Sequence, residues 1–424
     1  MWEFFVGLGK FFWVLFQVIV LFNLLIVVHE LGHYWAALWR GLKVEKFQIW
    51  FGTPIWRKEI KGVQWGLGTI PMAGFVALPQ MAPMGAIEGR TSEEQLPPIT
   101  PLDTIIVAFA GPLFSFLLAA FFALLVWGLG KPSHEASTTK VVGMVSQEHP
   151  AGGVLEPGDE ILEVNGDKVR GFSGLGDSMT ERIVLSTGDA IELLIQRPGE
   201  PEPRLVKIQP KVEETGALER PGTRKIGITP ARPSFVAKIE PGSPADVAGV
   251  QPGDEVLSAN GEKVYSFRRI QQLAENGEGA AIALVVSRDG AEVPLELVPR
   301  KPVEPEDRGY QTGIIWDGSK GATLLKPGPA PMQQLADSAT AMFRTLGAVF
   351  SSESDVDVRH MSSAIGIGGI YYDALSDPVN GWRFAFAISV LINVNLALLN
   401  LLPFPVLDGG HITMAVYEAI RKRP

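Results

Sequence analysis

FFWVLFQVIVLFNLLIVVHELGHYWAAL, Phe11 to Leu38, is the stretch that decides the fold. Up to Val28 its only polar side chains are Gln17 and Asn23, and it is long enough to cross a bilayer as a helix. Near its end stands His29-Glu30-Leu31-Gly32-His33. On a helix, HExxH sets two imidazoles at i and i+4 on one face, the spacing a zinc ion needs. The Glu between them can then act as base on a water that the metal activates. Ionisable side chains inside a span are costly and are kept for function. The bland alternative, a chance HExxH, belongs to soluble helices, and the span counts against it. The stretch therefore predicts a zinc protease working within the membrane, with Glu30 as catalytic base and His29 and His33 as metal ligands.

Working outward, two more apolar segments qualify as spans, Leu102 to Gly130 and Phe384 to Leu402, while residues 131 to 335 read as soluble protein rich in Gly, Pro and charge. The formal charge of −9 argues against nucleic acid as a partner. With no cysteine there is neither a disulfide framework nor a Cys-ligated metal. The N-terminus lacks a strongly basic start and an A-x-A-like site, so the first span reads as an uncleaved signal anchor. Arg40, Lys43, Lys46, Arg57, Lys58 and Lys61 fill the first loop, and Arg421-Lys422-Arg423 ends the chain. The positive-inside rule puts both in the cytoplasm, the N-terminus outside, and the long middle region on the extracytoplasmic side. Gly62 to Gln80 mixes alternating apolar residues with Gly and Pro, which predicts a short hairpin or re-entrant strand, with exposed loop over 81–100.

The middle region repeats itself. Pro157-Gly158-Asp159-Glu160-Ile161-Leu162-Glu163-Val164-Asn165-Gly166 returns 95 residues later as Pro252-Gly253-Asp254-Glu255-Val256-Leu257-Ser258-Ala259-Asn260-Gly261. Each copy reads as a turn, a short strand and an Asn-Gly hairpin turn, and the offset is domain-sized. Both resemble circularly permuted PDZ domains of bacterial proteases. The second copy is the better match, with Pro241-Gly242-Ser243-Pro244-Ala245 ahead of its turn where the first has His149-Pro150-Ala151-Gly152-Gly153. PDZ modules take extended chain ends onto a sheet edge; shielding an entrance is the equal alternative.

A third zinc ligand is needed, with the fourth position left to water. Asn400-Leu401-Leu402-Pro403-Phe404-Pro405-Val406-Leu407-Asp408-Gly409-Gly410 offers it: the two prolines must break the third span, and Asp408 is the only acidic residue from Gly381 to Tyr417. The ordinary reading of Asp408 is an N-cap; HExxH tips the balance. Together these motifs resemble the site-2 protease family of intramembrane zinc metalloproteases, above all its bacterial sigma-E-regulating type with tandem PDZ domains. The resemblance covers nearly the whole chain. It implies that His29, His33 and Asp408 bind Zn2+, that Glu30 is the general base, and that Asn395 and Asn400 hold the unwound segment of a substrate. It also makes Gly62 to Gln80 similar to a re-entrant β-hairpin that presents its edge to substrate. Implied partners are single-span membrane proteins such as anti-sigma factors or remnant signal peptides, the lipid bilayer, and peptide ends at the PDZ-like modules. The implied location is the bacterial inner membrane, the active site toward the cytoplasm.

The expected architecture is a polytopic α-helical membrane protein of three transmembrane helices, with a re-entrant β-hairpin after the first and two inserted PDZ-like α/β domains. Its parts are 1–130, PDZ-like domains at 131–215 and 216–302, a connector at 303–380 with an amphipathic helix over 332–350, and 381–424. Asn393 suits an interhelical hydrogen bond as well as a substrate contact. Gly111-Pro112 suits a kink or close packing; His134, His149 and His360 read as surface histidines, and His411 as interfacial. Ser362 to Gly369 resembles a family loop with its Gly-Pro step altered. The family usually carries a fourth span after this region, and sixteen residues follow Asp408 here. The competing reading is a membrane-anchored PDZ scaffold with a structural or inactive metal site, for which a retained Glu30 has no use.

Overall fold

Trp2–Trp39 forms one unbroken helix, α1, as a run of apolar residues without interior proline should. The computed structural model describes residues 2–81, 97–212, 222–301, 309–360 and 364–421. A second long helix, α2, covers Pro101–Leu129: Thr100 caps it by accepting from the Asp103 N–H, Pro101 opens it, and Gly130 ends it. With Gly381–Asn400, these are the three helices among the described residues long and apolar enough to cross a membrane. The chain divides into two units: Met1–Pro132 with Leu325–Met342 and Ser362–Pro424, and Ser133–Leu324 with Phe343–Met361.

In the first unit the expected hairpin is replaced by a four-stranded sheet. Its strands are β1 (Lys46–Phe51), β2 (Trp56–Ile60), β3 (Val63–Leu67) and β4 (Ile70–Ala77), in the order β2-β3-β1-β4. The two strands drawn from Gly62 to Gln80 do not pair with each other; β3 runs parallel to β1 on one side and β4 antiparallel to it on the other. The chain crosses the end of β1 at Gly68, where a Cβ would lie 2.3 Å from the Phe51 carbonyl oxygen, so only glycine passes. β4 runs along α1: a Cβ on Gly74 would sit 3.4 Å from Ile26 and 3.5 Å from Glu30. Trp50 at the end of β1 donates from its indole to Asn23 Oδ1.

Helix α5 (Pro331–Val349) forms where the amphipathic helix was expected, and Gln334 ties it to the Ala123 carbonyl at 3.1 Å. Ser362 and Ser363 lie outside the described residues. The rest of that expected loop is helical: α6 spans Ala364–Leu375 despite its glycines, because Tyr371 and Leu375 bury themselves with α1 and the third span. The Tyr371 hydroxyl pairs with Ser389 Oγ at 2.8 Å. The third span, α7 (Gly381–Asn400), ends before the Pro403-Phe404-Pro405 step, and α8 begins at Asp408 and continues to Arg421.

The repeat becomes two modules of one topology in the second unit. Module 1 holds β5 (Val142–Val145), β6 (Glu160–Val164), helix α3 (Met179–Val184), β7 (Ile191–Gln196), β8 (Arg204–Ile208) and β9 (Ile228–Pro230). Module 2 holds β10 (Val236–Ile239), β11 (Glu255–Ala259), α4 (Arg268–Asn276), β12 (Ile282–Arg288), β13 (Ala291–Leu297) and β14 (Ile314–Trp316). In each, the last strand pairs antiparallel with the first: β9 with β5 and β14 with β10. This pairing carries each module past the residue where the sequence reading ends it, 215 and 302, because the closing strand lies beyond a polar stretch. Module cores are built around Ile161, Leu193 and Ile195, and around Val256, Leu284 and Val286.

The aspartate of each Pro-Gly-Asp turn is buried, Asp159 at 0% and Asp254 at 1% exposed. Arg197 and Arg288 grip them bidentately, with every N–O distance between 2.7 and 2.8 Å. Burial alone would raise the Asp254 pKa, but the Arg288 guanidinium and the Gln251 N–H outweigh it and hold the carboxyl below its ordinary range. A depressed folded pKa stabilises above the unfolded value and loses that contribution as pH falls through the folded one. Asp254→Asn is therefore expected to weaken module 2 by about 2–4 kcal/mol at neutral pH. The deficit relative to wild type should shrink on acidification below about pH 4. Hydrogen exchange of the β12 amides checks both; equal protection in the two proteins at pH 7 refutes it.

Candidate metal centre and active site

His29 and His33 lie one turn apart on α1 and face α2. The approach is close because Gly32 between them has no side chain; a Cβ there would lie 2.4 Å from the Ala110 carbonyl oxygen. Both rings are buried, and each is oriented from α2 through its Nδ1. His33 Nδ1 is 2.8 Å from the Val107 carbonyl oxygen, and His29 Nδ1 is 3.0 Å from Ser115 Oγ. A carbonyl only accepts, so His33 Nδ1 carries the proton and Nε2 presents its lone pair to the interior. Gly111 completes the seat, since a Cβ there would fall 2.2 Å from His33 Nε2. The close-packing reading of Gly111 is thus what the structure has, with His33 as the packed group and Pro112 inside a continuous helix.

Asp408 arrives from the other end of the chain. The backbone of Leu401 to Leu407 turns back on the start of α8, and this needs two adjacent glycines. A Cβ on Gly409 would meet the Leu401 carbonyl oxygen at 2.3 Å, and one on Gly410 the Phe404 carbonyl oxygen at 2.2 Å. The Asp408 oxygens then lie 3.3 Å from His29 Nε2 and 3.4 Å from His33 Nε2, and the two Nε2 atoms are 3.3 Å apart. Three acceptor groups thus converge on one point. A tetrahedral ion with ligand bonds of about 2.0–2.1 Å requires ligand atoms about 3.3–3.4 Å apart. The donor set and its spacing fit zinc.

Glu30, facing β4, takes the Val76 N–H on its carboxylate and lies within electrostatic reach of both histidines and Asp408. Asn400 Nδ2 stands 3.5 Å from His29 Nε2. The Asn395 Oδ1 is buried with no hydrogen-bond partner among the described residues. Asn393 is fully buried and donates to the Ser389 carbonyl of its own helix at 2.7 Å, so its Nδ2 bond runs within α7 and not between helices. His149 pairs with Ser146 Oγ, and His360 lies mostly buried between Asp357 and the Gly222 carbonyl, so neither is a plain surface residue. The sequence reading missed Ser115, the Val107 carbonyl and Gly32; the one signal available was a Gly-Pro step in the second span.

Comparison with known proteins agrees with this geometry. The family model described as peptidase family M50 matches residues 17–424. The chain is 28% identical to a Vibrio cholerae protein carrying a zinc-metalloprotease name, over 97% of this chain and 92% of that one. It is 27% identical to the regulator of sigma-E protease RseP of Escherichia coli (98% and 92%) and 28% identical to protease RseP of Yersinia pestis (97% and 92%). Among solved structures, a PDZ domain of an SdrC-like protein from Listeria innocua aligns with 22% of this chain and 94% of its own at 22% identity, with a TM-score of 0.17, too low to carry the fold.

Proposed function

Because the chain belongs to peptidase family M50, the site-2 proteases, and is a membrane-bound zinc metalloprotease, we propose that it cuts single-span membrane proteins within the bilayer, with Glu30 as base and His29, His33 and Asp408 holding the metal. The carrying observation is the convergence of three acceptor groups on one zinc-sized point beside Glu30, two of them on a helix long enough to span a membrane. Zinc supplies there a Lewis acid that polarises a peptide carbonyl and acidifies water. Glu30 takes the proton of the attacking water and returns it to the leaving amine. The Val107 carbonyl holds His33 in the tautomer whose Nε2 faces inward, and Ser115 orients the His29 ring.

A transmembrane helix has its carbonyls bonded internally and must unwind before one can be attacked. β4 is an edge strand beside Glu30, suited to pair with a chain drawn out in extended form. Asn400, near the metal, and Asn395, with an unpaired oxygen, suit the freed backbone groups of such a chain. The substrates we assign are anti-sigma factors or remnant signal peptides in the bacterial inner membrane. The modules read as PDZ-like domains on the extracytoplasmic side that dock or filter them, with the active site toward the cytoplasm. The test is cleavage of a single-span substrate by the full chain in proteoliposomes. Chelation should abolish it and stoichiometric zinc restore it. Zinc-loaded protein that never cuts would instead favour a scaffold with a structural metal.

A further inference from the structure

Every residue of β2, Trp56-Arg57-Lys58-Glu59-Ile60, is exposed. Its apolar side chains are open with the rest: Trp56 is 51% and Ile60 43% exposed, and Ile55 just before them 62%. β2 is an outer strand, joined to the sheet by β3 alone. Trp56 stands opposite Leu67, Lys58 opposite Trp65 and Ile60 opposite Val63, so these six side chains share a face. That face is the one turned to α1. Val63 is buried in one cluster with Ala36 and Ala37, and the Trp65 and Tyr34 rings are 5.3 Å apart. β2 carries the face one strand past its cover, and Trp56 and Ile60 overhang.

The overhang is also basic. From Lys46 to Gln80 the cations are Lys46, Arg57, Lys58 and Lys61, against the single carboxylate of Glu59. Among the described residues Arg57, Lys58 and Lys61 have no ion-pair partner. Lys61 stands first in the two-residue turn from β2 to β3, at φ 51°, with Gly62 at φ 77°. Such a turn favours Asn, Asp or Gly there, so this charge is held against the preference of the backbone. Tyr34, against which Trp65 packs, is five residues before the end of α1 at Trp39, about 7–8 Å along the axis. Trp35 and Trp39, both exposed, mark the bilayer interface on that helix. Lys58, opposite Trp65, and Lys61, two residues from Val63, lie at the same level. A zwitterionic headgroup brings its own ammonium and leaves three free cations uncompensated; an anionic one neutralises them.

We propose that β2 and its turn are a binding site for anionic phospholipid, with Arg57, Lys58 and Lys61 on the headgroup and Trp56 and Ile60 against the acyl chains. This rests on the chain lying in a membrane and on nothing about its substrates, and its readout is independent of cleavage. The full chain is placed in phosphatidylcholine nanodiscs holding a minor share of brominated lipid, either phosphatidylglycerol or phosphatidylcholine, and tryptophan quenching is measured. Trp56→Phe, measured alongside, isolates the Trp56 signal. That signal should be quenched about threefold to tenfold more strongly by the brominated phosphatidylglycerol. Molar salt should weaken the preference, and Arg57→Lys should keep it. The triple variant Arg57→Gln, Lys58→Gln, Lys61→Gln should erase it. Lys61→Asn, which suits the turn better than lysine does, should lower it without harm to the fold. Equal quenching by the two lipids in wild type overturns the proposal, as does a preference undiminished in the triple variant or in Lys61→Asn. Quenching by neither lipid also overturns it, since protein, such as a second copy of this chain, would then cover Trp56.

Discussion

Glu30→Gln is expected to bind zinc as wild type does and to cut substrate about 10²–10⁴-fold more slowly. The amide is the same size as the carboxylate and keeps an oxygen for the Val76 N–H, so α1 and β4 have no reason to move. His29, His33 and Asp408 keep their positions, because what orients the rings is Ser115 and the Val107 carbonyl, neither of which touches residue 30. What disappears is a side chain beside the cluster able to take a proton and give it back. Single-turnover cleavage and metal content on the same preparation separate the two effects. Loss of zinc from the variant, or cleavage within tenfold of wild type, would each remove Glu30 from the base role. His33→Ala should behave oppositely, losing metal and activity together, since it deletes one of three converging groups.

Helix periodicity explains why part of this centre is legible in the sequence. HExxH fixes the two histidines on one face whatever surrounds them, and Asp408, which alone reads as an N-cap, becomes a ligand candidate beside that motif. The seat of the rings is a different matter. Ser115 lies 86 residues from His29, and Val107 acts through a backbone carbonyl, which no side-chain pattern records. The sheet after α1 was misread for a similar reason. Alternation in Gly62 to Gln80 announces strands, but not that β1 would insert between them, a choice made by long-range pairing across Gly68. The repeat revealed the modules through their turns, while the closing strands β9 and β14 have no counterpart in the quoted motif and were assigned to the wrong side of the boundary.

Gly111→Ala is the sharper test of the metal centre, because it changes no ligand, charge or proton carrier. Alanine favours a helix over glycine by about 1 kcal/mol, so on propensity alone the variant should be the more stable. At this position the new methyl would stand 2.2 Å from His33 Nε2 and 2.5 Å from Cε1. The obstacle is the ring itself, and the ring cannot retreat without giving up its bond to the Val107 carbonyl. α2 cannot retreat either without opening the contact at Gly32, where Ala110 already meets α1. His33 must therefore turn away from Asp408, and zinc affinity is expected to fall by at least about 10²-fold, with cleavage following it. Gly128→Ala on the same helix has nothing within 4 Å and should keep both zinc and activity, which separates the steric effect from any general response of α2 to alanine. Zinc competition with a calibrated chelator reads the difference. Equal affinities for the two variants would mean that His33 does not hold the metal through the nitrogen facing Gly111, and the ligand assignment would have to be rebuilt.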